Sequence, residues 1–134
     1  MKKLFITFSF VLSTVFSSIA QTNEPVYEQV DIMPEYQGGT NEMVNFIGKN
    51  LKYPEQAVKA NVIGKVIVKI IIEKDGSVNS VSFLKGIGFG CDEEVERIVK
   101  LMPKWKAGIK DGKNVRTFFI LPVMFALENT KKSK

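Results

Sequence analysis

The sequence contains no histidine and a single cysteine, Cys91. Without an imidazole, neither a Ser/His nor a Cys/His nucleophile can be assembled. One cysteine excludes an internal disulfide, so the fold must hold by packing alone. Arginine-rich stripes are absent too: the formal charge is +5, and the lysines are spread along the chain. Nucleic acid is therefore not an expected partner. No internal repeat, low-complexity linker or long proline-rich spacer is visible.

What is present begins with an export pattern. Lys2 and Lys3 precede an apolar run, Leu4 to Phe16, interrupted by Thr7, Ser9, Ser13 and Thr14, and Ser18-Ile19-Ala20 supplies small residues where a signal peptidase cuts. Residues 1–20 are expected to be a signal peptide, cleaved before Gln21, giving a periplasmic protein that is not inserted in the membrane. The rival, an uncleaved anchor, would need about 20 apolar residues without those hydroxyls. Cys91 lies far from the cleavage point, which argues against a lipoprotein. Loss of Lys2 and Lys3 lowers the charge from +5 to +3. The remainder suits one domain with one core.

Residues 21–39 read as an extended arm that ends in the turn Gly38-Gly39. Thr40 is placed to N-cap a helix carrying Met43, Phe46, Ile47 and Leu51 on one face. Tyr53-Pro54 opens a second, short helix with Ala57 and Val58 as buried candidates and Asn61 at its end. The period then becomes two, with Val66, Val68, Ile70 and Ile72 on one face. Asp75-Gly76 turns the chain, and Val78 to Lys85 returns with Val81 and Phe83 in phase. Asp92 is expected to cap a third helix bearing Val95, Ile98, Val99 and Met102, with Glu93/Arg97 and Glu96/Lys100 paired four apart. Pro103 stops it. A turn over Lys110 to Asn114 leads to a last strand, Val115 to Leu127, and residues 128–134 form a basic tail expected to be disordered. The fold class is α+β, in the order ααββαβ: a small three-stranded antiparallel sheet with helices packed on one face, over residues 40–127.

Gly86-Ile87-Gly88-Phe89-Gly90 sits between strand and helix, as a dinucleotide loop would, but the third glycine of G-x-G-x-x-G falls on Cys91 and three acidic residues follow. Those acids also oppose a reactive thiolate at Cys91. Adjacent carboxylates on a helix diverge, so no metal is expected, and no cofactor or catalytic residue is assigned.

The last strand is unusual. It is apolar on both faces, and Pro122 interrupts it, which fits an edge strand with one unpaired side. Phe119, Leu121, Val123 and Phe125 are its expected core residues. If Pro122 addresses the open edge, so do Arg116, Phe118 and Ile120 by alternation. A peptide strand is therefore expected to pair with Arg116, Thr117, Phe118, Phe119 and Ile120.

Several ordered motifs resemble one family. They are Tyr53-Pro54-Glu55-x-Ala57, Gly64-x-Val66-x-Val68, Asp75-Gly76-x-Val78, Met102-Pro103-x-Trp105-x-x-Gly108 and Asp111-Gly112-x-x-Val115. Together they look like the C-terminal domain of TonB, and Met33-Pro34-Glu35-Tyr36-x-Gly38-Gly39 resembles the arm of its stand-alone exported variant. Ala107 stands where that family usually has proline. The resemblance implies a non-catalytic domain that takes the TonB box of outer-membrane transporters onto its sheet edge, serving TonB-dependent transport. With a signal in place of an anchor, an adaptor for these transporters or other envelope proteins is implied rather than a force transducer. The alternative is a homodimerising structural envelope protein using the same edge.

Overall fold

A computed structural model describes residues 24–127; the expected signal peptide and the basic tail lie outside the described residues. Helices α1 (Thr40–Asn50) and α2 (Glu55–Lys59) precede strands β1 (Gly64–Ile72) and β2 (Val78–Lys85). Helix α3 (Cys91–Leu101), strands β3 (Gly108–Lys110) and β4 (Lys113–Val115), and strand β5 (Thr117–Phe125) follow. The main sheet is antiparallel, in the order β2-β1-β5. This is the expected α+β architecture.

Alternation along β1 creates the core. Val66, Val68, Ile70 and Ile72 are buried on the face that also receives Leu121, Val123 and Phe125 from β5. Each such side chain contributes about 1.5–3 kcal/mol on burial. Val95, Ile98 and Val99 of α3 are buried with Met43 of α1 and Ala57 of α2. Val58, expected inside, is exposed, because α2 spans only five residues and turns a single side inward.

The two long helices begin earlier than expected, with caps one residue before Thr40 and two before Asp92. Thr40 and Cys91 are the first helical residues, and the caps are Gly39 (φ 91°) and Gly90 (φ 83°), conformations that glycine adopts without strain. Asp92 instead accepts the backbone N–H of Ile87 (2.9 Å) and Gly88 (3.3 Å), bracing the preceding loop. Arg97 pairs with Glu94, not Glu93: Glu94 also accepts the Lys52 N–H (2.7 Å) and Arg97 donates to the Asn50 carbonyl (2.7 Å), so both side chains are drawn to the segment after α1. Glu96 and Lys100 pair as expected, at 3.0 Å.

Strand β2 departs from simple alternation. Ile70 faces Val81 while Ile71 faces Asn79, and Ile67 faces Lys85 while Val68 faces Phe83, so Ser80 and Leu84 are extra residues on β2. Ser80 adopts φ 55°. The bulge lets Val78 and Val81, three apart, both face the core-side residues Ile72 and Ile70. Phe83 stays exposed at the rim. The expected turn before the last strand is a two-stranded ribbon, β3 against β4, joined by Asp111-Gly112 with both φ positive, as a two-residue hairpin turn requires. The last strand therefore starts at Thr117 rather than Val115.

Trp105 links the layers. Its ring meets Tyr36 edge-on at 5.6 Å and Phe119 at 4.9 Å, and its backbone N–H donates to the Gly76 carbonyl at 2.8 Å. A Cβ on Gly76 (φ 87°) would lie 1.9 Å from the Trp105 carbonyl oxygen. Gly76→Ala is expected to destabilise the domain by more than about 1 kcal/mol. Gly48→Ala, in α1 with open space around it, is expected to stabilise by about 0.8–1 kcal/mol. Urea denaturation of the two variants beside the parent checks both signs.

Candidate binding edge

Because β1 is flanked on both sides, β2 and β5 are the edges of the sheet. They are not equivalent. The two bulges of β2 break its edge into short segments, a common defence against further pairing. Strand β5 runs regularly against β1 through nine successive pairs, from Thr117 opposite Ile72 to Phe125 opposite Gly64. Its outward backbone groups are therefore evenly spaced.

The alternation can be located directly. The Phe118 N–H donates outward to the Tyr27 carbonyl at 2.9 Å, and the Arg116 carbonyl accepts the Tyr27 N–H at 2.9 Å. Ile120, Pro122 and Met124 share the phase of Phe118 along the regular strand, so their backbone groups also face outward. Pro122 thus lacks an N–H on the side where β1 needs none. Among the described residues no strand covers the outward backbone of Ile120, Pro122 and Met124.

The five residues expected to form the site divide accordingly. Thr117 is fully buried, its hydroxyl donating to the Val115 carbonyl at 3.1 Å, and Phe119 packs against Trp105. These two point their side chains into the core. Phe118 lies half-buried on the opposite face under the Lys69 ammonium, 4.0 Å from its ring centre, and Ile120 is exposed. Arg116 stands just before β5. Its guanidinium grips both oxygens of Glu73 (2.8 and 3.0 Å) and donates to the Glu24 carbonyl (2.8 Å).

Residues of the arm belong to this edge, which the sequence did not reveal. Tyr27 bridges Thr117 in parallel orientation, with Lys110 Nζ 4.4 Å from its ring centre. Glu28 pairs with Lys69 at 2.9 Å, and Glu24 pairs with Lys74. Farther along, Ile32 bridges Ile109 and Glu35 bridges Lys106. In the sequence the arm shows only scattered apolar positions, Val26, Tyr27, Val30 and Ile32, in a polar stretch. Two backbone bonds at about 1 kcal/mol each, one charge-assisted bond from Arg116 to the Glu24 carbonyl at about 1.5–3 kcal/mol and surface ion pairs at about 1 kcal/mol or less hold the Glu24–Glu28 segment. It buries no side chain fully and is thus held less firmly than the arm around Tyr36.

The glycine loop and Cys91 offer no comparable chemistry. Cys91 is buried, and burial followed by the charges of Asp92, Glu93 and Glu94 raises its thiol above the ordinary value. The nucleophilic thiolate is thereby disfavoured. Among the described residues no group of three metal-ligating side chains occurs, and no helix is long and apolar enough to cross a membrane.

The Arg116 hydrogen bonds hold the Glu73 carboxyl below its ordinary value of 4.5, partly opposed by burial. A depressed folded value means stability that is present above the unfolded value and lost as pH falls through the folded one. Glu73→Gln should therefore flatten the fall in stability between about pH 5 and 3, measured by denaturant midpoints. A slope identical to the parent would show that the pair contributes nothing.

Comparison with known proteins adds a sequence match. Residues 49–127 match the family described as Gram-negative bacterial TonB protein C-terminal. Two solution structures of the Helicobacter pylori TonB C-terminal domain are similar to this chain at 22% identity and a TM-score of 0.46. The one comprising residues 194–285 is matched over 66% of this chain and 92% of its own, and the one comprising 179–285 over 67% and 85%. Among curated proteins no match is found.

Proposed function

Since the chain belongs to the TonB C-terminal domain family, we propose that it acts in the periplasm as a binding domain for a short strand of outer-membrane transporters, added to the open edge of β5. Domains of this family are non-catalytic interaction modules with a transport-related role in the envelope. The observation that carries the finer reading is the regular, outward-facing backbone of β5, interrupted only by the missing N–H of Pro122. Strand addition uses such groups for affinity and side-chain contacts for selectivity.

The edge segment Arg116 to Ile120 remains the proposed pairing register, extended toward Met124. Thr117 and Phe119 support it from the core side, while the outward groups of Ile120 do the pairing first and those of Arg116 and Phe118 join once Tyr27 gives them up. Each new bond contributes about 1 kcal/mol net. Association costs at least about 4 kcal/mol, so binding is weak and reversible unless side chains add to it. Ile120 and Met124, both exposed on the bare face of the sheet, are available for that contact.

Titrating a synthetic TonB-box peptide into isotope-labelled protein should shift the amides of Ile120 and Met124 first. Ile120→Pro removes an outward N–H that β1 does not use, so the fold should persist while affinity falls about fivefold, the equivalent of one bond. Light scattering over a concentration series supplies the opposing result. A stable dimer that ignores the peptide would replace this reading with self-pairing of the edge.

A further inference from the structure

The arm itself forms a single parallel bridge, at Tyr27, on the edge that a partner would need. Tyr27 fills the outward groups of Arg116 and Phe118, and its flanking acids meet lysines on either side, Glu28 with Lys69 and Glu24 with Lys74. Glu24, Pro25 and Tyr27 line one side of a cleft whose other wall includes Lys74, Lys113 and Arg116. We infer that the Arg116–Phe118 edge and its lysines form a receptor for an acid-flanked aromatic strand of another envelope protein, normally occupied by residues 24–28 of this same chain.

Three observations support the assignment. The pairing is parallel and in phase with the free groups of β5, so Tyr27 fills the edge as one residue of an added strand would. The contact is polar and ionic, and Tyr27 is only half-buried, so its release exposes little apolar surface. The arm is also anchored separately. Ile32 and Glu35 pair with β3 and the segment before it, and Tyr36 is buried beside Trp105. The segment before Asp31 can therefore leave while the rest of the arm stays docked.

Displacement by a strand of matching chemistry follows. A glutamate three residues before an aromatic and another directly after it reproduce the Glu24, Tyr27 and Glu28 contacts. The apparent affinity of such a partner is lowered by the fraction of time that the arm is bound. This rests on β5 being a docking edge, and adds that the edge has a resident competitor.

The test uses the full chain and a synthetic peptide copying residues 24–32, EPVYEQVDI. In the parent, the Phe118 amide should exchange with solvent more slowly than that of Ile120. In Tyr27→Pro, which lacks the N–H donated to Arg116, the Phe118 amide should become fast and the peptide should bind about tenfold more tightly than to the parent. A peptide with lysine at both glutamate positions should lose that gain. If Trp105 emission shows Tyr27→Pro to be misfolded, the doubly substituted Glu24→Lys, Glu28→Lys chain makes the same comparison.

Equal peptide affinity for the parent and the opened chain would overturn the inference. So would a Phe118 amide as fast as Ile120 in the parent, or a parent dimer that Tyr27→Pro dissolves, which would mean that the arm is exchanged between copies. Failure of a TonB-box peptide on both chains, with the arm peptide still binding the opened one, would remove the transporter reading and leave this one standing.

Discussion

The ladder between β1 and β5 is the constraint from which the rest of the molecule follows. Nine uninterrupted pairs fix the phase of both strands. On one face they line up the branched side chains that the helices cover, and at one edge they aim every second peptide group of β5 away from the sheet. A slip of one residue would exchange both outcomes at once, turning Leu121, Val123 and Phe125 to solvent and Pro122 toward a partner that needs its missing N–H. Core burial and edge chemistry are thus two consequences of one register.

Other contacts hold the ends of that ladder. Arg116 joins the start of β5 to Glu73, just beyond β1, and reaches the arm through the Glu24 carbonyl. Gly76 lets the β1–β2 turn settle on the Trp105 backbone, and Trp105 in turn supports Phe119. The edge is therefore backed by packed aromatic rings on the core side, while on the other face Phe118 is half-buried beneath Lys69 and Ile120 and Met124 stand in solvent.

Much of this was readable from residue order, for physical reasons that also mark where reading fails. The alternation of β1 and the helical spacing of α3 are strong because many side chains repeat the same choice of face. The Asp-Gly turns announce themselves through backbone chemistry. Strands β3 and β4 are three residues each, too short for any period to emerge. The bulge at Ser80 hides in β2 because an extra residue shifts the phase without changing composition. Pro122 made the open side of β5 legible. Its occupant was not, because a single bridge between Tyr27 and Thr117, ninety positions apart in sequence, leaves no local pattern.

Pro122 has a second consequence, for solubility. A nine-residue strand as apolar as β5 is the kind of segment that stacks upon identical copies into fibrils, where each chain must offer a complete row of donors and acceptors to the next. At Pro122 every copy would present an acceptor and no donor, so each added layer would carry an unfilled carbonyl at the same height. The residue that marks the edge as available to a short foreign strand also makes it a poor template for its own kind.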